Sequence, residues 1–186
     1  MVVGPTIFII ALCKYLLLRK KLLIDPLQKI SSHVDFLFGL GTSSVLPLVD
    51  IEVEYSKKTG RIKNFGLGGK LIGTFRTDGG VALTIYGAGL LLKHVDFLHN
   101  CIIPVDDAIP FVSEGRSLFV KHVYKCGTNV KTGSEVAITD SNHCILAVGR
   151  SLFPFSYYHD QNYENSRSQL RGVGVKIREG IKSRST

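Results

Sequence analysis

Apolar and polar positions alternate along this chain with two periods, and each period names an element. From Pro26 to Leu40 the apolar residues Leu27, Ile30, Val34, Leu37 and Phe38 recur at spacings of 3, 4, 3 and 1, which predicts one buried helix face, ended by Gly39 and Gly41. The period then becomes two. Ile51-Glu52-Val53-Glu54-Tyr55 alternates strictly, Ser56 to Gly60 turns, and Arg61 to Phe65 alternates again. Gly66, Gly68 and Gly69 mark the next turn, Leu71 to Phe75 a third strand, and Asp78-Gly79-Gly80 the turn into a fourth, Val81 to Ile85. Connections this short favour an antiparallel meander. A closing helix is expected over Tyr86 to His94.

A second set of elements begins near Asn100. Cys101 to Val105 predicts a short apolar strand. Asp106 and Asp107 are expected to cap a helix carrying Ala108, Ile109, Phe111 and Val112, stopped by Gly115. Strands are predicted over Ser117 to Tyr124, Glu135 to Thr139, Cys144 to Val148 and Gly172 to Arg178, with a polar, tyrosine-bearing loop from Pro154 to Gln169. Five short strands and one helix suit a small closed or pseudo-closed barrel. The fold class expected is therefore α+β: a small antiparallel α+β module over 31–99, then a pseudo-barrel over 100–180, with 1–30 as an apolar and basic N-terminal segment and 181–186 as a basic tail.

Composition narrows the function. With 45% apolar and 20% charged residues the 186-residue chain is globular rather than disordered, and it is too short for a large catalytic barrel of about 250 residues. Twenty-three Lys and Arg against 15 Asp and Glu leave a net charge of +8, which favours a polyanionic partner. Residues 1–30 hold five cations and one anion, so half of that excess lies there. The apolar run Val2 to Cys13 is shorter than a spanning helix, is cut off by Lys14, and has its positive charge on the wrong side for a signal peptide. A weak anchor, a helix buried on the rest of the protein and an upstream start codon all stay open for it; a membrane partner is not the expectation, and a cytoplasmic location is.

Cys13, Cys101, Cys126 and Cys144 have no paired-thiol spacing, and His94, His99, His122, His143 and His159 stand in no ligand spacing to them, so neither a metal site nor a cofactor is expected. The carboxylates Asp106-Asp107 are adjacent, face apart, and are read as caps rather than as an acid/base pair. No catalytic residue is assigned.

A run of words in the second module carries a resemblance: Asp107-Ala108, Phe111-Val112, Glu114-Gly115-Arg116-Ser117-Leu118-Phe119, Lys121-His122-Val123, Gly133-Ser134-Glu135-Val136, Leu146-Ala147-Val148-Gly149-Arg150, and Gly172-Val173-Gly174-Val175-Lys176-Ile177-Arg178. In this order they resemble the PUA domain, an RNA-binding module. The first module resembles the segment that precedes that domain in archaeal tRNA-guanine transglycosylases and archaeosine synthases, through Asp35-Phe36, Phe38-Gly39, Glu54-Tyr55-Ser56, Thr59-Gly60-Arg61-Ile62, Gly69-Lys70-Leu71, Arg76 and Asp78-Gly79. The aspartate nucleophile and cysteine-rich zinc site of that family's catalytic barrel find no counterpart here. The resemblance therefore implies a non-enzymatic RNA-binding chain that holds tRNA for a separate transglycosylase catalytic subunit in archaeosine-type modification. A general RNA-binding protein of ribosome assembly or RNA processing, with no such partner, is the alternative.

The RNA-binding residues expected are Gly115, Arg116, Lys121, Arg150, Arg171, Lys176 and Arg178. The resemblance places RNA in the groove between the short helix and the strand after it, where a side chain at Gly115 would intrude; Arg116 and Lys121 flank that groove. Alternation puts Val173, Val175 and Ile177 in the core and aims Lys176 and Arg178 outward as phosphate contacts. Arg150 and Arg171 are surface positions at strand ends. Tyr157, Tyr158 and Tyr163 are read as a loop in which base stacking or plain disorder are the two options.

Overall fold

The computed structural model describes residues 25–159 and 172–183. The N-terminal apolar segment, Tyr163, Arg171 and the last residues of the tail lie outside them.

Helix α1 runs Pro26–Phe38. Asp25 caps it by accepting from the Leu27 N–H at 3.2 Å, and Pro26 supplies a first helical residue that needs no donor. Ile30, Val34 and Phe38 form its buried stripe. Strands β1 (Ile51–Tyr55), β2 (Ile62–Leu67), β3 (Lys70–Phe75) and β4 (Val81–Leu83) form an antiparallel meander in sequence order. Gly68 and Gly69 alone turn β2 into β3, at φ of 55° and 72°; a two-residue turn with both angles positive matches the strand twist, and glycine adopts it without strain. Gly66, expected in that turn, is instead a β2 residue at a register shift. Helix α2 covers Ile85–Leu91, so Ile85 opens the helix rather than ending the strand. Thr84 decides this: its Oγ1 accepts from the Gly87 N–H at 3.0 Å and donates to the Leu71 carbonyl at 2.6 Å.

The second module contains β5 (Cys101–Pro104), α3 (Ile109–Ser113), β6 (Leu118–Phe119), β7 (Val123–Cys126), β8 (Glu135–Thr139), β9 (Ile145–Ser151), α4 (Phe155–His159) and β10 (Val173–Gly180). Its sheet has the order β6-β10-β9-β8-β5-β7, antiparallel except for the β5–β8 pair. The two edge strands are consecutive in the chain, joined only by the 3-10 turn Val120–His122. A three-residue link between opposite edges forces the sheet to curl on itself, which makes the half-barrel. Ile102, Leu118, Val120, Val136, Ile138, Ala147 and Val175 fill its interior.

Four expectations change here. The strand over Ser117 to Tyr124 is two strands, because Leu118, Val120 and Val123 are the buried residues and their spacing slips parity at the turn. Asp106 and Asp107 sit in a 3-10 turn entered from Val105, with no side-chain cap on it or on α3. Part of the polar loop is α4, whose Tyr158 is buried, donating to the Gly174 carbonyl at 2.8 Å and lying 3.2 Å from Ser151 Oγ. Strand β10 runs two residues past the expected end at Arg178, to Gly180.

The modules share a core. Cys101, Ala137 and Val148 from the half-barrel pack into the same cluster as Ile30, Phe65, Leu91 and Phe97. Ala137 pairs with Val148 across β8 and β9, so the outer face of these strands is covered by the first module rather than by water.

Candidate nucleic-acid interface

The expected residues separate into two places, and local chemistry explains each. At the end of α3 the Gly115 N–H donates to the Val112 carbonyl at 2.9 Å and the Arg116 N–H to the Phe111 carbonyl at 3.0 Å. That is a Schellman pair, and it requires the φ of 89° that Gly115 adopts. The motif brings its flanking side chains together: the Arg116 guanidinium lies 5.4 Å over the half-exposed Phe111 ring and ion-pairs with Glu114 at 3.4 Å. A β-carbon on Gly115 would lie 3.4 Å from Ser183 Cβ, so the space beside the helix end is bounded by the chain leaving β10.

Beyond Gly115 the chain carries cations and aromatic rings outward. Phe119 is 47% exposed and Tyr124 is 64% exposed. Lys121 does not share a strand face with Phe119 and Val123; the 3-10 turn buries Val120 and Val123 and leaves Lys121 on the outside, with Lys125 exposed further along. Aromatic faces next to lysine and arginine are the two surfaces that single-stranded RNA needs, one for base stacking and one for phosphate. The three exposed rings were not singled out from sequence. The parity slip at Val120 to Val123 was the available signal for Tyr124, and the Schellman spacing for Phe111.

Arg150, Lys176 and Arg178 lie elsewhere, on the outer face of β9 and β10. Lys176 is directly opposite Arg150, which is opposite Glu135 on β8. Lys176 is exposed. Arg178 points out of the barrel as alternation predicted, but the first module covers that direction: its guanidinium donates to the Leu83 carbonyl and to Glu135 Oε1. Glu135 also accepts from the Leu83 N–H at 3.1 Å and has Arg76 3.6 Å from Oε2. Arg150 donates to the Gly133 carbonyl at 2.9 Å and pairs with Asp78 at 3.5 Å, while Asp78 also holds Arg76 at 3.0 Å. These five charged side chains bolt the modules together, and four of them, Arg76, Asp78, Glu135 and Arg150, line a cleft of about 520 Å³. Burial raises the Glu135 carboxyl above the ordinary carboxylate range, against the opposing pull of Arg178. The Gly80 N–H and then Arg76 lower that of Asp78. Neither Glu135 nor Arg76 was anticipated at the junction, since the contacts that join Glu135 to Arg178 and to Arg76 span 40 or more residues of chain.

Tyr157 stacks on Phe153 with ring centres 4.2 Å apart, and Tyr158 is core, so neither serves as a loop platform. Among the described residues no group of three His, Cys, Asp or Glu is placed to hold a metal ion, and no helix is long and apolar enough to cross a membrane. Burial pushes the thiols of Cys101 and Cys126 up to about 12.

Comparison with known proteins agrees with this architecture. Residues 28–97 match the patch-forming domain C2 of tRNA-guanine transglycosylase, and residues 102–154 match the PUA domain. The tRNA-guanine(15) transglycosylase of Methanothermobacter thermautotrophicus is 30% identical over 158 residues, 84% of this chain and 23% of that protein. Its counterpart from Thermococcus onnurineus is 32% identical over 148 residues, 79% of this chain and 24% of that protein. The chain thus spans about a quarter of the length of these curated relatives. In fold it is similar to a hypothetical protein from Pyrococcus horikoshii, with a TM-score of 0.62 at 16% identity over 85% of this chain and 91% of that one. A PUA domain from Aeropyrum pernix K1 aligns with a TM-score of 0.51 at 18% identity, covering 64% of this chain and 62% of that one. The chain carries a C2 patch-forming domain of the tRNA-guanine transglycosylase kind followed by a PUA domain.

Proposed function

We propose that this chain binds tRNA and holds it for a separate transglycosylase catalytic subunit that exchanges guanine in archaeosine-type modification. The observation that carries the reading is the ridge running from α3 into β7. In it Arg116 lies over the Phe111 ring, and Phe119, Lys121, Tyr124 and Lys125 are each exposed. The curated relatives are named for guanine exchange on tRNA, and they contain these two modules inside a chain about four times as long. We assign this chain no chemical step. Its contribution is binding energy and effective concentration, which raise kcat/KM at low tRNA without altering the reacting atoms. Gly115, Arg116, Lys121 and Lys176 are the contacts proposed among the described residues. Arg150 and Arg178 act chiefly by fixing the two modules, and Arg171 keeps its proposed phosphate contact.

Contact with four to six phosphates gives a log–log salt slope for tRNA binding of about −3 to −5. The test is a tRNA titration over salt, run beside labelled-guanine release with each chain alone and with both together. Steep salt dependence and stimulated release by the pair support the proposal. A flat salt response refutes phosphate binding, turnover by the repurified lone chain refutes the non-catalytic role, and tRNA binding without stimulation favours a general RNA-binding protein.

A further inference from the structure

A groove of about 390 Å³ opens on the outer face of the half-barrel, where the cover given by the first module ends. Cys101 and Ala137 on that face lie in the shared core. Two residues further along their strands, Ile103 and Thr139 line the groove, joined by Val95, Leu98 and His99 from the 3-10 turn Val95–Asn100. Lys125 reaches the same groove because β7 slips register against β5. Val123 pairs with Pro104 and Lys125 with Ile103, so Tyr124 is an extra residue and Lys125 is turned to the face of Ile103.

One polar atom of this lining has no partner. Thr139 is fully buried, and its Oγ1 makes no hydrogen bond among the described residues. Such a hydroxyl is uncommon in a folded protein, and the groove it lines is where a partner enters. The rest of the lining says which partner. Val95, Leu98 and Ile103 are apolar, the exposed rim carries Lys125 and the imidazoles of His99 and His143, and the described lining residues include no aspartate or glutamate. The rim is fixed in place. Thr128 Oγ1 holds His99 Nδ1 at 2.9 Å. His143, at a φ of 62°, donates its N–H to the Asp140 carbonyl at 3.0 Å, while Asp140 Oδ1 accepts from the N–H groups of Asn142 at 2.9 Å and Cys144 at 2.8 Å. Apolar walls, imidazole faces, one unsatisfied hydroxyl and a lysine at the mouth fit a planar heterocycle joined to a phosphate. Lys125 also belongs to the cationic ridge, so a strand lying along that ridge brings its nucleotides to this mouth.

We infer that the groove takes one unstacked nucleobase of the bound RNA, with Thr139 Oγ1 hydrogen-bonding the base edge and Lys125 the adjoining phosphate. This rests on the RNA-binding reading above and adds to it a base site apart from the groove at Gly115. A lone hydroxyl both donates and accepts, so the site demands an unpaired base without choosing among the four.

The test titrates wild type, Thr139→Val and Ile103→Phe with a short single-stranded RNA, with its fully paired duplex and with AMP, and records Tm for each protein. Thr139→Val removes the unpartnered hydroxyl at nearly constant shape. It should leave Tm unchanged or raised and weaken single-strand binding about fivefold, the worth of one hydrogen bond. Ile103→Phe narrows the groove and should weaken it at least about tenfold, the loss of one base contact. Duplex binding, which uses phosphate contacts, should stay within about twofold for both. Thr139→Val carries the test alone if Ile103→Phe fails to fold. Wild-type single-strand affinity in folded Thr139→Val overturns the base site and leaves phosphate binding standing; it is the result expected of a hydroxyl satisfied by water. Equal losses for single strand and duplex overturn it too, because they place the effect outside base recognition. No binding of either RNA by the wild type refutes the RNA-binding reading and the base site with it, and AMP bound by the wild type but not by the variants then gives the groove to a free nucleotide.

Discussion

Replacing Arg178 with alanine tests the module junction, because the residue that alternation aimed at RNA is the one that neutralises a buried carboxylate. The Glu135 side chain is 2% exposed and that of Arg178 is 40% exposed. Breaking a fully buried pair by removing one partner costs about 3–5 kcal/mol. Arg178 is partly solvated and Arg76 remains 3.6 Å from Oε2, so about half of that, roughly 2 kcal/mol, is the expected loss. For a chain of this size the loss lowers Tm by about 4–8 °C.

The pH dependence gives the sharper check. Burial raises the Glu135 carboxyl and Arg178 opposes the rise. A raised carboxyl binds a proton in the folded state that the unfolded chain has already released. Its contribution is therefore present at acid pH and is lost as pH climbs from the ordinary carboxylate range through the folded value. Without Arg178 the folded value rises further and that window widens. Thermal melts of both proteins should then show a small penalty near about pH 5 and the full one near about pH 8. Glu135→Gln in the Arg178→Ala background should recover much of the loss, since the amide oxygen still accepts from the Leu83 N–H and no charge is left buried. A penalty under about 0.5 kcal/mol at neutral pH, or one that does not vary with pH, refutes the argument.

Gly115→Asp places a side chain against Ser183 at a left-handed φ that Asp tolerates better than most, so melting should show a loss on the order of 1 kcal/mol while tRNA affinity falls at least about tenfold; a folded variant with wild-type affinity excludes the helix end from the interface. Lys176→Ala should leave stability within about 0.5 kcal/mol and reduce the magnitude of the salt slope by about 1, measured by melting and by tRNA titration. In a Cys13→Ser background, a thiol reagent at about pH 8 should modify exposed Cys144 rapidly, and Cys101 and Cys126 only on unfolding, because a thiol near 12 is about one part in ten thousand thiolate there; mass spectrometry of the labelled peptides reads the order.

What the chain discloses before folding is its short-range order. The spacing of Ile30, Val34 and Phe38 sets one helix face, and the glycine turn at 68–69 sets one strand reversal; both depend on neighbours within a few residues. The half-barrel is legible to the same depth and no further. Leu118 and Val120 share parity and Val123 breaks it, so the slip that splits one strand into two edges is written in the sequence, yet its consequence, sheet closure, depends on strands up to 60 residues distant. Arg178 shows the limit most directly. Alternation places it outside the barrel correctly, but outside is solvent only if nothing packs there. The residues that pack there, Leu83 and Arg76, belong to a different module with its own hydrophobic pattern. A cation facing outward beside Lys176 is locally indistinguishable from a phosphate contact. Glu135 is the only hint in the same stretch of chain, an acid opening a strand whose five residues are all buried. A carboxylate in such a run needs a cation from elsewhere. The outward arginine two positions beyond Lys176 is available to supply it, and that pairing converts an RNA-facing reading of Arg178 into a statement about how the modules are held in register.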